Sequence, residues 1–218
     1  MFVDRNLNYG IIGNCRSAAL INSKASIDWC CLPKFDSSSV FAKILDDEKG
    51  GGFWIETKQK FHISQTYLKN TCILRTVFRN ENHEFEVIDF MPRFIKNKGE
   101  FYAPPEIIRI VRPIKGSPEI KFKYDPRLEY AQGETKHVVK KNMVRSRVDS
   151  PKHDSLFLYT NIENIKIIQS NLHKLEETIF FNISYNEKLK TPQLSDCLLN
   201  FDRTKVYWLN WCSKTPVF

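Results

Sequence analysis

"EIKFKYD" (Glu119–Asp125) alternates apolar and charged side chains without a break, with Ile120, Phe122 and Tyr124 on one side and Lys121 and Lys123 on the other. A period of two belongs to a half-buried β-strand, whose successive side chains point to opposite faces. The same rhythm recurs on both sides of it. Upstream lie "EIIRIVR" (106–112), set to pair with it across "PIKGSP" (113–118), and the runs "CILRTVF" (72–78) and "HEFEVIDF" (83–90), which flank the turn-forming "RNEN" (79–82). Downstream, "TIFFNISY" (178–185) sends Ile179, Phe181, Ile183 and Tyr185 one way. Further strands are expected at "SLFLYTN" (155–161) and around "NIKIIQS" (164–170). About ten or more short strands, with turns every 8–12 residues or roughly so, describe a large antiparallel sandwich.

Two places break the rhythm. After Pro33, "DSSSVFAKILDD" offers Asp36 or Ser37 as an N-cap and then Val40, Phe41, Ile44 and Leu45 at helical spacing, which predicts a short helix ending near Gly50-Gly51-Gly52. Near the C-terminus, Asp202 or Thr204 can cap a helix carrying Tyr207, Trp208, Leu209 and Trp211, with Trp208 and Trp211 three apart on one face. Between Pro33 and the chain start, "RSAALINSKASIDWCCLP" reads as a hairpin: strand Ser17–Ile21, turn Asn22–Ala25, strand Ser26–Leu32.

The 218 residues suffice for one large domain, and 42% hydrophobic with 27% charged side chains is the balance of a globular chain able to fill a core. Asp4 and Arg5 interrupt the start where a secretory peptide runs apolar, and no window offers the ~20 apolar residues of a membrane span, so a cytoplasmic protein is expected. Six cysteines lie scattered without metal-ligand spacing, Cys30 and Cys31 side by side; buried free thiols are expected rather than zinc or disulfides. The sequon "NIS" at Asn182 falls in a strand pattern and is discounted. A net charge of +8 raises the question of an anionic partner. The densest basic run, "KHVVKKNMVRSR" (136–147), answers it: Val144 and Val148 alternate with Met143, Arg145 and Arg147, as in a strand with one wet face, and no nucleic-acid partner is expected.

Chemistry is sparse. No glycine-rich phosphate loop, nucleophile elbow or H-E-x-x-H is present, and the five histidines (His62, His83, His137, His153, His173) stand apart from one another. No metal or cofactor is expected. Asp28, Asp36, Asp46 and Asp47 are the carboxylates that could pair for glycoside hydrolysis. Helix capping accounts for Asp36 and a solvated helix end for Asp46 and Asp47, while Asp28, between Ile27 and Trp29, needs a buried partner, for which Arg16 is a candidate.

The run "YGIIGNCRSAALINSKASIDWCCLPKFDSSSVFAKILDDEKGGGFW" (9–54) closely resembles the N-terminal segment of bacterial and archaeal glucoamylase- and trehalase-like enzymes of glycoside hydrolase family 15, and "VIDFMP", "EIIRIVRPIKG", "YDPRLEYA" and "YWLNW" are similar to later blocks of that family in order. The resemblance runs from Tyr9 to Trp211. It implies a mainly β fold, an antiparallel β-supersandwich over residues 1–200, with 201–218 a connector helix toward an (α/α)6 barrel that carries both catalytic glutamates and lies outside this chain. No catalytic residue is therefore expected here. What the resemblance implies instead is a domain that packs on the barrel of an inverting α-glucoside hydrolase acting on trehalose or α-glucans. Arg16, Trp29, Lys34, Phe35 and Asp36 are candidates for the active-site rim, and Tyr207, Trp208 and Trp211 for the face that docks the barrel or self-associates. A stand-alone carbohydrate-binding or protein-interaction module is the alternative. Cys15 and Ala25 stand where the family commonly has glycine; a residue with positive φ costs of order 1 kcal/mol there without glycine.

Overall fold

The computed structural model describes residues 8–141, 143–151, 153–163 and 170–214. Among them the chain forms β1 (Tyr9–Gly13), β2 (Ala18–Asn22), β3 (Ile27–Cys31), β4 (Ser39–Phe41), β5 (Gly52–Thr57), β6 (His62–Tyr67), β7 (Leu74–Arg79) and β8 (Glu84–Phe90). There follow β9 (Phe94–Ile95), β10 (Phe101–Tyr102), β11 (Glu106–Lys115), β12 (Glu119–Asp125), β13 (Lys136–Lys140), β14 (Met143–Arg147), β15 (Ser155–Thr160), β16 (Leu172–Lys174), β17 (Ile179–Tyr185) and one helix, α1 (Leu194–Cys212). The strand expected around residues 164–170 falls almost wholly outside the described residues.

Two antiparallel sheets face each other. The first has the order β1-β2-β3-β5-β12-β16 with β4 on β3, and the second β13-β14-β15-β17-β11-β8-β7-β6. Their inner faces share one core, in which Phe53 of the first sheet meets Phe181 of the second edge to face at 5.0 Å and Phe122 meets the same ring at 4.7 Å. Aromatic pairs of this geometry contribute about 0.5–1.5 kcal/mol beyond their buried area. "EIKFKYD" behaves as read, its apolar face buried and its lysines outward.

"TIFFNISY" does not keep a wet face. Ile179, Phe181 and Ile183 enter the inter-sheet core, but Phe180 on the other face joins a second apolar cluster with Ile88, Phe90, Ile108, Ile110, Tyr159 and Cys197. That second core exists because α1 lies on the outer face of the second sheet through Leu194, Cys197 and Phe201. Asn182 is 2% exposed in this strand, no place for a glycan.

Three expectations are corrected. "EIIRIVR" and "EIKFKYD" do not pair: β11 lies between β8 and β17, and β12 between β5 and β16, so "PIKGSP" crosses from sheet to sheet. The signal was in the run itself, whose Glu106–Val111 are buried on both faces, as suits a central strand. The segment after Pro33 is not a helix. Val40 and Phe41 belong to β4 against β3, and turns carry the chain from residue 43 to 50, fastened by Ala42 N–H to Gly50 O (2.8 Å) and Lys43 N–H to Gly51 O (3.1 Å). Its apolar spacing fits a three-residue strand equally well. Finally, α1 starts at Leu194, before Asp202: Gln193 caps it, with its backbone N–H donating to Asp196 Oδ2 at 2.8 Å in a capping box.

The hairpin at 18–31 has its turn at Asn22–Ser26, and Ala25 indeed adopts φ 59° while being fully buried. The backbone keeps the left-handed turn without glycine because Ala25 O accepts from Arg109 Nη2 at 2.7 Å. Arg109, on the inner face of β11, pairs with Asp89 of the neighbouring β8 (2.7 Å) and also donates to Phe53 O (3.1 Å), so one buried guanidinium, held by a carboxylate of its own sheet, ties the second sheet to the first. Cys15 likewise has φ 65°, in an exposed turn. No helix among the described residues is long and apolar enough to cross a membrane.

Candidate functional site

The loop between β8 and β11 (91–105) organises one end of the sandwich. Asn14, fully buried after β1, donates from Nδ2 to Pro104 O (2.7 Å) and accepts at Oδ1 from the backbone of Arg16 (3.1 Å) and Ser17 (3.3 Å). Arg93 holds the other side: its Nη1 donates to Asn14 O (2.8 Å), its Nε to the Tyr207 hydroxyl (2.8 Å), and its backbone N–H to Thr204 Oγ1 (3.2 Å). The guanidinium also lies over the Phe101 and Tyr207 rings at 4.8 and 5.0 Å. Thr204 is therefore buried in mid-helix as an acceptor, where the sequence suggested a cap.

Four of the five rim candidates gather at this end. Arg16 donates from Nη1 to Ala103 O (3.2 Å), and its own carbonyl accepts from Phe35 N–H (3.2 Å), which sets Lys34, Phe35 and Asp36 beside it. Lys34, Phe35 and Asp36 are exposed in the turn beyond β3. Trp29 is set apart, half-buried within β3 opposite Leu20. Asp28 lies further toward the hairpin turn, away from Arg16. Its carboxylate accepts from Tyr9 Oη (3.0 Å), Asn22 Nδ2 (2.8 Å) and Ser26 Oγ, three neutral donors that saturate a group 4% exposed. The expected Arg16 partner is corrected: the two residues sit at opposite ends of β3, which at about 3.3 Å per residue puts them more than a side chain apart. Asp46 is occupied by the backbone N–H groups of Glu48 and Lys49 (2.9 Å each) in a turn.

The docking candidates stand on the far side of the same loop. Tyr207, Trp208 and Trp211 form a run of edge-to-face rings, with centroids 5.2 and 6.1 Å apart. Between α1 and the β9–β10 hairpin opens a groove of about 1110 Å³ that includes Ile95, Phe101, Val206, Tyr207 and Trp211. Ile95, Phe101, Val206 and Trp211 are each more than half exposed, at 56, 56, 54 and 57%, an apolar concentration at odds with a face meant only for water. Sequence reading missed Asn14 and Arg93 and gave Thr204 a different task; loop residues show no periodicity, and Pro92 alone flagged a rigid turn beside Arg93.

All six cysteines are free thiols, but only Cys30, Cys31 and Cys197 are buried as expected, Cys15 being exposed and Cys72 and Cys212 half-buried; burial raises the pKa of Cys30 and Cys31, which disfavours the reactive thiolate. His137 Nδ1 is 2.9 Å from Ser146 Oγ, and burial lowers its pKa. No group of three or more metal-binding side chains occurs among the described residues.

A trehalase-like, N-terminal domain family matches residues 4–178. The chain belongs to that family. It is 29% identical over 224 residues to a trehalase of Thermoplasma volcanium, covering 95% of this chain and 34% of that protein. A trehalase of Thermoplasma acidophilum is 28% identical over 213 residues, covering 90% and 34%, and trehalase 2 of Sulfolobus acidocaldarius is 46% identical over 87 residues, covering 39% and 14%. The chain thus spans about a third of the two Thermoplasma trehalases it matches along nearly its whole length.

Proposed function

We propose that this trehalase-like domain is the non-catalytic β-sandwich of a trehalase- or glucoamylase-like glycoside hydrolase, packing on a catalytic helical barrel. Residues 1–200 form the sandwich in this reading, and the end of α1 with the groove beside it is the face the barrel covers. The observation that carries it is coverage: nearly the whole length of this chain aligns with about a third of the length of two Thermoplasma trehalases, while Asp28 is saturated by neutral donors and Asp36 is solvated. The exposed apolar groove at the end of α1 supports the docking face, and without a barrel that face favours self-association.

Beside it, Arg16, Lys34, Phe35 and Asp36 project from the same end of the sandwich and supply one wall of the pocket in which an inverting hydrolase positions an α-glucoside and its attacking water. The test is kinetic. With the barrel joined to this domain, Phe35→Ala with Lys34→Ala is expected to raise KM for trehalose or maltose, or lower kcat, by about 10-fold or more. A folded double variant with unchanged constants removes the rim role. Titrating trehalose and maltose into the chain alone addresses the alternative, since millimolar or tighter binding would favour a carbohydrate-binding module.

A further inference from the structure

The outer face of the second sheet hides an incomplete hydrogen-bonded pair. Glu106 of β11 faces Ser184 of β17, and Asn182 stands two residues further along β17, opposite Ile108. Glu106, Asn182 and Ser184 are 2, 2 and 0% exposed. Asn182 Nδ2 donates to Glu106 Oε2 at 3.3 Å. The remaining oxygens of the same two groups, Glu106 Oε1 and Asn182 Oδ1, are buried with no partner among the described residues, as is Ser184 Oγ. Two acceptors are left on groups already joined by one bond, and a carboxylate cannot donate to an amide oxygen. A carboxylic acid can: a proton on Oε1 donates to Oδ1 and completes a cyclic pair of two hydrogen bonds.

We propose that Glu106 and Asn182 form a proton-holding acid–amide pair that pins β11 to β17 beside the first turns of α1, making the attachment of that helix pH dependent. Leaving both oxygens unpaired in a buried site costs more than binding one proton from solvent. Of the titratable groups around the pair, Glu187 disfavours the charged carboxylate and the Tyr102 hydroxyl favours it. Tyr102 approaches from β10 without closing a bond of normal length to the carboxyl, Tyr159 faces it from β15, Cys197 from α1, and Glu187 from the turn after β17. No basic side chain is among the charges acting on Glu106. Burial, reinforced by Glu187 and opposed by the Asn182 bond and the Tyr102 hydroxyl, pushes the carboxyl up to about 7.

A carboxyl raised in the folded state holds a proton that the unfolded chain has released, so stability is fullest below the ordinary glutamate value and is lost as pH rises through about 7. Urea unfolding of the full chain is expected to show a folding constant lower by roughly 10²-fold at pH 8 than at pH 5 from this site. Glu106→Gln, which places an N–H where the acid has its O–H, removes that part of the fall and leaves the variant more stable than the parent at pH 8. Equal falls in parent and variant overturn the proposal. Should the variant fail to fold, carbon NMR of the glutamate carboxyls in the unmodified chain decides: one signal titrating near 7 is expected, and all of them titrating in the ordinary range is the contrary result.

Discussion

Cys15 and Ala25 show how a single side chain can keep a turn that glycine would make easier. Both hold positive φ, and both stand where glycine is common in the resembling family. Cys15 is exposed, so Cys15→Gly loses no burial and relieves strain of about 1 kcal/mol, raising the thermal midpoint by roughly 2–4 °C. Ala25→Gly should be near neutral, because the buried methyl it deletes is worth about 0.8 kcal/mol and offsets the relief. A Cys15→Gly melt below that of the parent contradicts this reading. Arg109 is the residue with most at stake. Arg109→Met leaves the Asp89 carboxylate and the carbonyls of Ala25 and Phe53 buried without a donor, and is expected to cost about 3–5 kcal/mol in urea unfolding. That is a large share of a domain's stability, typically about 5–15 kcal/mol. A loss below about 1 kcal/mol would show that the pair can be relieved by repacking.

At the level of elements, α1 is held by an apolar stripe and by Arg93. Leu194, Cys197, Phe201 and Thr204 recur at spacings of three and four, and Arg93 bonds Thr204 and Tyr207 at the other end of the stripe. Arg93→Ala removes the bonds to Tyr207 and Asn14 O; a loss of about 1.5–3 kcal/mol is expected, with faster amide exchange in the last turns of α1 than in β11. Uniform exchange in both elements argues against it. Strand existence was legible here because "EIKFKYD" and "HEFEVIDF" carry their period openly. Pairing was not: β11 and β12 are neighbours in sequence, yet the choice of sheet is made by burial on both faces of β11, which appears only when α1 covers the second sheet. The short helix expected after Pro33 failed because Val40 and Phe41, two of the four apolar residues that suggested it, serve a strand or a helical turn alike. For the candidate site, the resemblance nominated Arg16, Lys34, Phe35 and Asp36, which the structure sets near one another, whereas Asn14 and Arg93, which hold that end together, sit in loops that no pattern marks.

Over the whole molecule, the two sheets and the helix make a scaffold in which several carboxylates are spent on structure and one end carries a cluster of exposed apolar side chains. Asp28, Asp89 and Glu86 are buried in contacts with their own neighbours. Ile95, Phe101, Val206 and Trp211 have no such cover among the described residues, and they flank the loop that also positions Arg16. That arrangement, together with the partial coverage of the trehalases, supports the proposal that another domain supplies catalysis and docks at this end. The direct test is calorimetric titration of this chain with the part of the Thermoplasma volcanium trehalase beyond the region it matches. The account predicts one-to-one binding that weakens at least about 10-fold with Trp211→Asp, and no heat with trehalose or maltose alone. Sugar binding by the isolated chain, together with no association or with association indifferent to Trp211, would contradict it.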